Sequence, residues 1–297
     1  MAQTAAAIRE QGAKPGIWFR PLLTLGRIPV DACLARDSGG QVMDPTHPYT
    51  LQRIREDAAR IHGWGFQLLK HDFTTNDLLG LGLVTDKNYG VRIMSEDRKL
   101  YDTTRPLAAV IKDVYRAVQD GMGSDDVIGC CTIGHLVAGI HSIQRVGGDT
   151  SGRSFEWTVR NGINSMMRLP KNDSFYRIDP DCAAFTEKVP AEINLDFLEM
   201  CALTGVTTLA SVTPGILTKE QLARIQKIYQ LADRDETRYG IVNFEKTALP
   251  EIFEQLIVHA GKPCIKDVAC GHVLPTLSLP LGRMCTLDAD NSKIIIE

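Results

Sequence analysis

The chain has 297 residues, of which 44% are hydrophobic and 23% charged, and its formal net charge is −3. These values are typical of a soluble globular protein. Because the sequence has neither a strongly basic balance nor an apolar run of ~20 residues, it argues against nucleic acids and membranes as partners. The N-terminal apolar run is too short for a signal peptide, so we expect a cytoplasmic location.

Hydrophobic periodicity and turn residues predict that helices and strands alternate along most of the chain. The predicted strands span residues 15–20, 66–71, 126–131, 142–145, 174–179, 206–211 and 293–297. The predicted helices span residues 49–62, 105–122, 134–140, 154–169, 191–203 and 218–232, and residues 1–10 are predicted to end an amphipathic helix. Residues 21–48 and 72–104 are predicted to be long loops.

Alternating strands and helices build a parallel α/β sheet. A doubly wound sheet gathers ligands at one switch point, whereas a barrel carries polar residues at the ends of many strands. Here such residues end six predicted strands: Arg20, Asp72, Cys131, Asp149, Asp179 and Ser211. We therefore predict a partial (β/α)8 TIM barrel of about six βα units that lacks the first two strands. Residues 1–235 would form this barrel domain, and residues 236–297 a tail of uncertain structure.

A lysine and an aspartate lie two residues apart at the end of the second predicted strand. Lys70 and Asp72 share one face, because side chains alternate along a strand. The ammonium would keep the carboxylate ionised by lowering its pKa, and an ionised carboxylate in a dry pocket can attack an anomeric carbon. A strand-end ion pair without any chemistry explains the same spacing.

An arginine and an aspartate lie four residues apart across a glycine turn. Arg145 and Asp149 flank Gly147 and Gly148, which make the turn tight and flexible. Paired carboxylates at strand ends, here Asp72 and Asp149, are the groups that a glycosidase needs. The general acid of such a pair must hold its proton near neutral pH, which a neighbouring arginine would oppose. Arg145 therefore either points at sugar hydroxyls or forms a loop salt bridge.

The eight cysteines are scattered and show no metal-ligand spacing. Cys264 and Cys270 precede His272, but their spacing matches no standard zinc motif. No helical or strand spacing gathers another candidate ligand set, which consists of His135, Asp179 and Asp181. We expect reduced thiols, no metal and no cofactor.

Several segments resemble the melibiase-type α-galactosidases of glycoside hydrolase family 36 and its clan. The resemblance covers about residues 1–215, and the order and strand context of the matching segments make it specific. These segments are 14–19 (KPGIWF), 44–48 (DPTHP), 64–73 (WGFQLLKHDF), 128–130 (IGC), 134–136 (GHL), 144–152 (QRVGGDTSG) and 175–182 (FYRIDPDC).

The resemblance implies a retaining O-glycosyl hydrolase of carbohydrate metabolism, acting on terminal α-galactosides by double displacement without a cofactor. By position, Asp72 would be the nucleophile and Asp149 the general acid/base. Contacts with the carbohydrate substrate are implied for Trp18, Arg20, Lys70, Cys130 and Arg145. The implied fold is a (β/α)8 barrel, normally with β-domains around it.

Two departures from the family keep other functions open. The family places acidic residues on its first two strands, where they bind the galactose 4- and 6-hydroxyls, and this sequence has no counterpart of them. In addition, Cys131 follows Cys130, whereas relatives carry a small or polar residue at that position. The alternatives are an inactive truncated barrel fragment, a carbohydrate-binding relic, or another barrel enzyme such as a metal-assisted lyase. Open sheet edges pair with other chains, so we also expect instability, aggregation or homo-oligomers and weak activity.

Overall fold

The computed structural model describes residues 1–37, 39–80 and 98–233, together with the backbone of two strands within residues 285–296. The chain divides into two compact units, Met1–Gly240 and Ile241–Glu297. Among the described residues, no helix combines the length and the apolar character that a membrane span requires.

Helices and strands alternate through the first unit. The helices are α1 (Ala2–Glu10), α2 (Pro48–Gly63), α3 (Thr74–Leu79), α4 (Leu107–Met122), α5 (Gly134–Val137), α6 (Phe155–Arg168), α7 (Ala191–Thr204) and α8 (Lys219–Ala232). The strands of this unit are β1 (Gly16–Phe19), β2 (Leu23–Thr24), β3 (Cys33–Asp37), β4 (Gly40–Met43), β5 (Leu68–His71), β6 (Asp126–Gly129), β7 (Ile143–Arg145), β8 (Arg177–Asp179), β9 (Ala183–Phe185) and β10 (Ala210–Val212). The second unit contains β11 (Cys285–Asp288) and β12 (Lys293–Ile296).

A five-stranded sheet is the centre of the first unit. Its strand order is β1-β5-β6-β7-β8, and every neighbouring pair is parallel. Trp18 stands opposite Lys70, and Arg145 stands opposite Asp179. Because parallel strands present their carboxyl ends at one edge, this order gathers the residues that follow each strand.

The chain after α7 continues the sheet beside β8. Thr207 donates its N–H to the carbonyl of Ile178 at 2.8 Å, and Ala183 donates its N–H to the carbonyl of Leu209 at 2.8 Å. β9 and β10 then pair in parallel. The predicted partial α/β barrel is therefore confirmed, although the last strand ladder lies at residues 210–212 rather than 206–211.

The prediction of a long loop over residues 21–48 was wrong. β2, β4 and β3 form an antiparallel sheet in that order, with Leu23 opposite Val42 and Asp37 opposite Gly40. Each strand is only two to five residues long, and a bulge near Cys33 interrupts the ladder, so no clear period-2 pattern appears. The predicted loop 72–104 likewise contains α3, and its residues 81–97 lie outside the described part of the chain.

The second unit contains one described antiparallel pair. β12 confirms the predicted terminal strand, and β11, which the sequence did not predict, pairs with it so that Cys285 stands opposite Ile296. The candidate ligands Cys264, Cys270 and His272 lie outside the described residues.

Helices α2 and α4 pack closely on the outside of the sheet. α2 buries Ile54, Ala58 and Ile61, at the helical spacing that the sequence predicts. At the crossing, a Cβ added to Gly121 of α4 would lie 2.5 Å from the Cβ of Ala58 and 2.6 Å from the carbonyl oxygen of Arg55. Only glycine at this position allows the two backbones to approach so closely.

We expect Gly121→Ala to lower the free energy of unfolding by about 1–3 kcal/mol, because the added methyl overpacks the crossing. Gly63→Ala at the end of α2 is the matched control, because a Cβ there meets no atom within 4 Å. Urea denaturation of both variants measures the difference. Equal midpoints for Gly121→Ala and the wild-type chain would contradict the close crossing.

Candidate active site

The carboxyl ends of neighbouring strands carry the polar side chains that the sequence singles out. Asp72 follows β5, Cys130 follows β6, and Arg145 is the last residue of β7. The parallel ladder extends past the strands, because Asp72 donates its N–H to the carbonyl of Phe19 at 2.9 Å and Cys130 donates its N–H to the carbonyl of His71 at 2.7 Å. These bonds fix the backbones of Asp72 and Cys130 side by side.

Asp72 is a buried carboxylate with a hydrogen-bond donor on each oxygen. Trp18 Nε1 donates to Oδ2 at 2.9 Å, and the backbone N–H of Phe73 donates to Oδ1 at 2.7 Å. Burial raises the pKa of Asp72, but the donors Trp18 and Phe73, followed by the thiols of Cys131 and Cys130, outweigh burial and bring the pKa below its ordinary value of 3.8. Asp72 is therefore ionised and oriented at neutral pH.

Lys70 is not the main source of this shift, contrary to our expectation from the sequence. Trp18 stands opposite Lys70 in the register of β1 and β5, so its indole shares the face on which Asp72 lies and reaches the carboxylate directly. The charge of Lys70 acts instead on Cys130 and Asp179.

Two adjacent cysteines lie beside Asp72. The Sγ atoms of Cys130 and Cys131 and a carboxylate oxygen of Asp72 all lie within 4.8 Å of one another. Cys130 is buried, whereas Cys131 is exposed and has the left-handed φ of 50°. A hydrogen bond between the two thiols, together with burial, raises the pKa of Cys130, and the same hydrogen bond lowers the pKa of Cys131.

Arg145 is a buried cation that contacts residues following three neighbouring strands of the sheet. Its side chain is only 3% exposed. Its Nη2 lies 2.9 Å from Asp149 Oδ1 and 2.5 Å from Asp181 Oδ2, and its Nη1 lies 3.9 Å from Cys130 Sγ. Among the described residues, Arg145 Nε has no hydrogen-bond partner. This N–H is enclosed by the protein and is therefore an unsatisfied donor of the buried guanidinium.

Asp149 lies at the solvent-facing side of the same edge. Its side chain is 82% exposed. The preceding turn is held from α6, because Asn161 Nδ2 donates to the carbonyl of Gly148 at 2.7 Å and to that of Pro180 at 3.0 Å. A Cβ on Gly147 would lie 2.0 Å from Asn161 Oδ1, so the turn requires glycine there. The turn thus presents Asp149 outward while Arg145 stays buried.

Arg20 occupies a different environment from the other predicted substrate contacts. Its guanidinium pairs with Asp37 at 2.6 Å and with Asp77 at 2.5 Å, and it lies 4.3 Å from the ring centroid of Phe73. These contacts support the loop that carries Phe73 against Asp72. The structure gathers the remaining predicted site residues through the contacts above: Trp18, Lys70, Asp72, Cys130, Arg145 and Asp149. Their catalytic and substrate-binding roles remain predictions.

Two site residues were missed in the sequence. Asp181 holds Arg145 and accepts hydrogen bonds from the backbone N–H and the hydroxyl of Thr150 at 2.8 and 3.1 Å. The sequence signal was the repeated aspartate of the family-like segment 175–182, in which Asp181 itself was considered only as a candidate metal ligand with Asp179 and His135. Cys131 was noted as a residue at a strand end and as a departure from the family but was not predicted to belong to the site, where its thiol lies within 4.8 Å of Asp72.

No protein-family model and no curated protein matches the sequence. Several solved structures match it. One is an α-galactosidase from Thermus thermophilus in complex with p-nitrophenyl α-D-galactopyranoside, with a TM-score of 0.55 and 20% sequence identity. The match covers 79% of this chain and 50% of the galactosidase chain. A family 27 β-L-arabinopyranosidase from Geobacillus stearothermophilus matches 78% of this chain and 56% of its own with a TM-score of 0.56 and 11% identity.

An isomalto-dextranase from Arthrobacter globiformis T6, in complex with panose, matches 78% of this chain and 44% of its own with a TM-score of 0.55 and 13% identity. The chain therefore spans about half the length of the solved structures that it matches. At these identities the likeness shows the fold alone, which is that of TIM-barrel glycosidases.

We expect Trp18→Phe to raise the pKa of Asp72, because the indole donor is lost while an aromatic ring still faces Phe73. Carbon-13 NMR titration of the Asp72 carboxyl measures the shift. A depressed folded-state pKa stabilises the fold above the unfolded value, and this contribution is lost as pH falls through the folded value. The variant should therefore lose less stability on acidification below 3.8 than the wild-type chain.

Trp157→Phe is the matched control, because this indole is exposed on α6 and contacts Arg160 rather than Asp72. The control should titrate like the wild-type chain. An unchanged Asp72 pKa in Trp18→Phe would show that the indole does not hold the carboxylate.

Proposed function

We propose that the first unit is the catalytic barrel of a retaining α-glycosidase that hydrolyses terminal α-galactosides, of the melibiase type found in glycoside hydrolase family 36. The observation that carries this proposal is the difference between two carboxylates at one sheet edge. Asp72 is buried and held by two donors, whereas Asp149 is 82% exposed beside a buried arginine. A nucleophile and a general acid/base need these two different environments.

Asp72 is suited to be the nucleophile. Its hydrogen bonds from Trp18 and from the Phe73 backbone fix the carboxylate plane and keep it ionised, while each oxygen retains a lone pair for attack. In the first step an oxygen of Asp72 would bond to the anomeric carbon as the bond to the leaving oxygen breaks.

Asp149 is suited to be the acid and then the base. It would donate a proton to the leaving oxygen, and in the second step it would take a proton from the water that releases the sugar from Asp72. Its exposure supports this role, because the leaving group and the water both arrive from solvent. Arg145 divides its contacts between Asp149 and the better buried Asp181, so Asp149 is not its only counter-charge.

Side chains around Asp72 offer polar contacts for sugar hydroxyls. Lys70 lies on the same strand face as Asp72, and the Sγ atom of Cys130 lies within 4.8 Å of the Asp72 carboxylate. The Thermus enzyme is bound to an α-galactoside in one structure and to stachyose in another. Together with the matching segments of the sequence, these complexes support an α-galactoside as the substrate class.

A second candidate is a carbohydrate-binding protein without turnover. The salt bridge of 2.9 Å between the buried Arg145 and Asp149 favours it, because this contact gives Asp149 a structural role that needs no reaction. Such a protein would bind an α-galactoside through the same donors but would leave the glycosidic bond intact.

We expect Asp72→Asn to reduce hydrolysis of every α-galactoside by more than about 10³-fold, because no nucleophile remains. Asp149→Asn should reduce hydrolysis of an unactivated galactoside by about 10²–10⁴-fold and that of a p-nitrophenyl galactoside far less, because only a poor leaving group needs acid assistance. Steady-state kinetics on both substrates measure these effects.

Asp125→Asn is the matched control, because Asp125 precedes the opposite, amino end of β6 and pairs with His62. It should leave both rates unchanged. Equal losses for Asp72→Asn and Asp149→Asn on both substrates would reject the assigned roles. Binding of galactose by the wild-type chain without any hydrolysis would favour the second candidate.

The first product of hydrolysis should be the α-anomer of galactose, because two displacements at the anomeric carbon restore its configuration. Proton NMR during the early reaction distinguishes the α- from the β-anomer before mutarotation. A β-anomer as first product would mean a single displacement by water, and Asp72 would then be a base.

A further inference from the structure

We propose that Asp72, Cys130 and Cys131 form a binding site for one thiophilic divalent metal ion of the zinc type. One carboxylate oxygen and two sulfurs lie within 4.8 Å of one another. Zinc lies about 2.3 Å from a sulfur ligand and about 2.0–2.2 Å from an oxygen ligand, so the ligand atoms of a tetrahedral site lie roughly 3.3–3.8 Å from one another. Side-chain rotations that move these atoms by about 1 Å would complete the site.

The backbone brings both sulfurs to the same carboxylate. Side chains of consecutive strand residues point to opposite faces, but Cys131 has left β6 and has a φ of 50°. This turn returns its thiol to the side of Asp72, beside that of Cys130. The sequence predicted no metal because the ligands come from two strands and adjacent cysteines match no standard spacing.

The donor set selects the class of ion. Two sulfurs and one carboxylate favour zinc over magnesium or calcium, which prefer oxygen ligands alone. Three protein ligands leave a fourth position for water, and the exposed Cys131 keeps the site open to solvent. Neighbouring donors would orient two of the ligands, because Trp18 Nε1 lies 2.9 Å from Asp72 Oδ2 and Asn76 Nδ2 lies 3.9 Å from Cys131 Sγ.

Binding of the ion involves both the release of protons and the compensation of negative charge. Binding of the ion to two thiolates would release the protons of both cysteines to solvent, and affinity should therefore increase with pH. Lys70 and Arg145 act electrostatically on Cys130 and offset the excess negative charge of two thiolates and one carboxylate.

The metal site itself does not depend on the proposed function, whereas its expected effect on hydrolysis does. An ion on Asp72 would occupy the lone pairs of the proposed nucleophile, so zinc should inhibit hydrolysis and a chelator should restore it. Because binding has its own readout, a chain without glycosidase activity would still test the metal site.

The experiment uses the full chain, reduced and stripped of metal. Zinc is titrated in competition with a chromophoric chelator, and cobalt is titrated in parallel to detect the charge-transfer absorption of cobalt–thiolate bonds. We expect Cys131→Ser and Cys130→Ser to lose both signals and Asp72→Asn to bind at least about tenfold more weakly. Cys131 is exposed, so its variant should remain folded even if Cys130→Ser does not.

Two controls locate the ion. Cys201→Ser removes a buried thiol of α7, and the double variant Cys264→Ser, Cys270→Ser removes the other sequence candidate. Both should bind as the wild-type chain does. An absence of zinc and cobalt binding by the wild-type chain, or binding that survives in Cys131→Ser, would overturn the proposal.

Discussion

The parallel ladder of the five-stranded sheet is the constraint on which the site depends. Its hydrogen bonds do not stop with the strands: Asp72 is bonded to the carbonyl of Phe19, and Cys130 to that of His71. The backbone of each site residue is therefore set by the neighbouring strand rather than by its own loop. Since loops are otherwise mobile, this extension is what allows short segments after β5 and β6 to hold reactive groups in place.

The buried charge of Arg145 organises the other half of the edge. A guanidinium that is 3% exposed is costly unless its partners compensate for lost hydration. Asp181 supplies the closest compensation, at 2.5 Å, and is itself fixed by Thr150. Through these contacts one cation ties the turn after β7 to the chain after β8. Asp149 can therefore stay exposed to solvent, because Asp181 also neutralises the charge of Arg145.

The sequence predicted those features that depend on local patterns. Helical spacing identified α2 and α4, strand patterns placed Asp72 and Arg145 at strand ends, and the family resemblance indicated Cys130. Prediction failed where the partner is distant in sequence: the indole of Trp18 holds Asp72 across 54 positions. The antiparallel sheet β2-β4-β3 was missed because its strands are too short for a periodic signal. Asp181 was misread because its partner depends on how β7 and β8 pair.

The most direct test of the central claim is to trap the glycosyl-enzyme. The chain is incubated with an activated fluorinated α-galactoside, whose fluorine slows both displacement steps while the good leaving group keeps the first step fast. The mass of the intact chain and of its peptides is then measured. Our account predicts one added glycosyl group on the peptide that contains Asp72, attached to that carboxylate. A label on a different residue, or hydrolysis of the reagent with no label at any time, would contradict it.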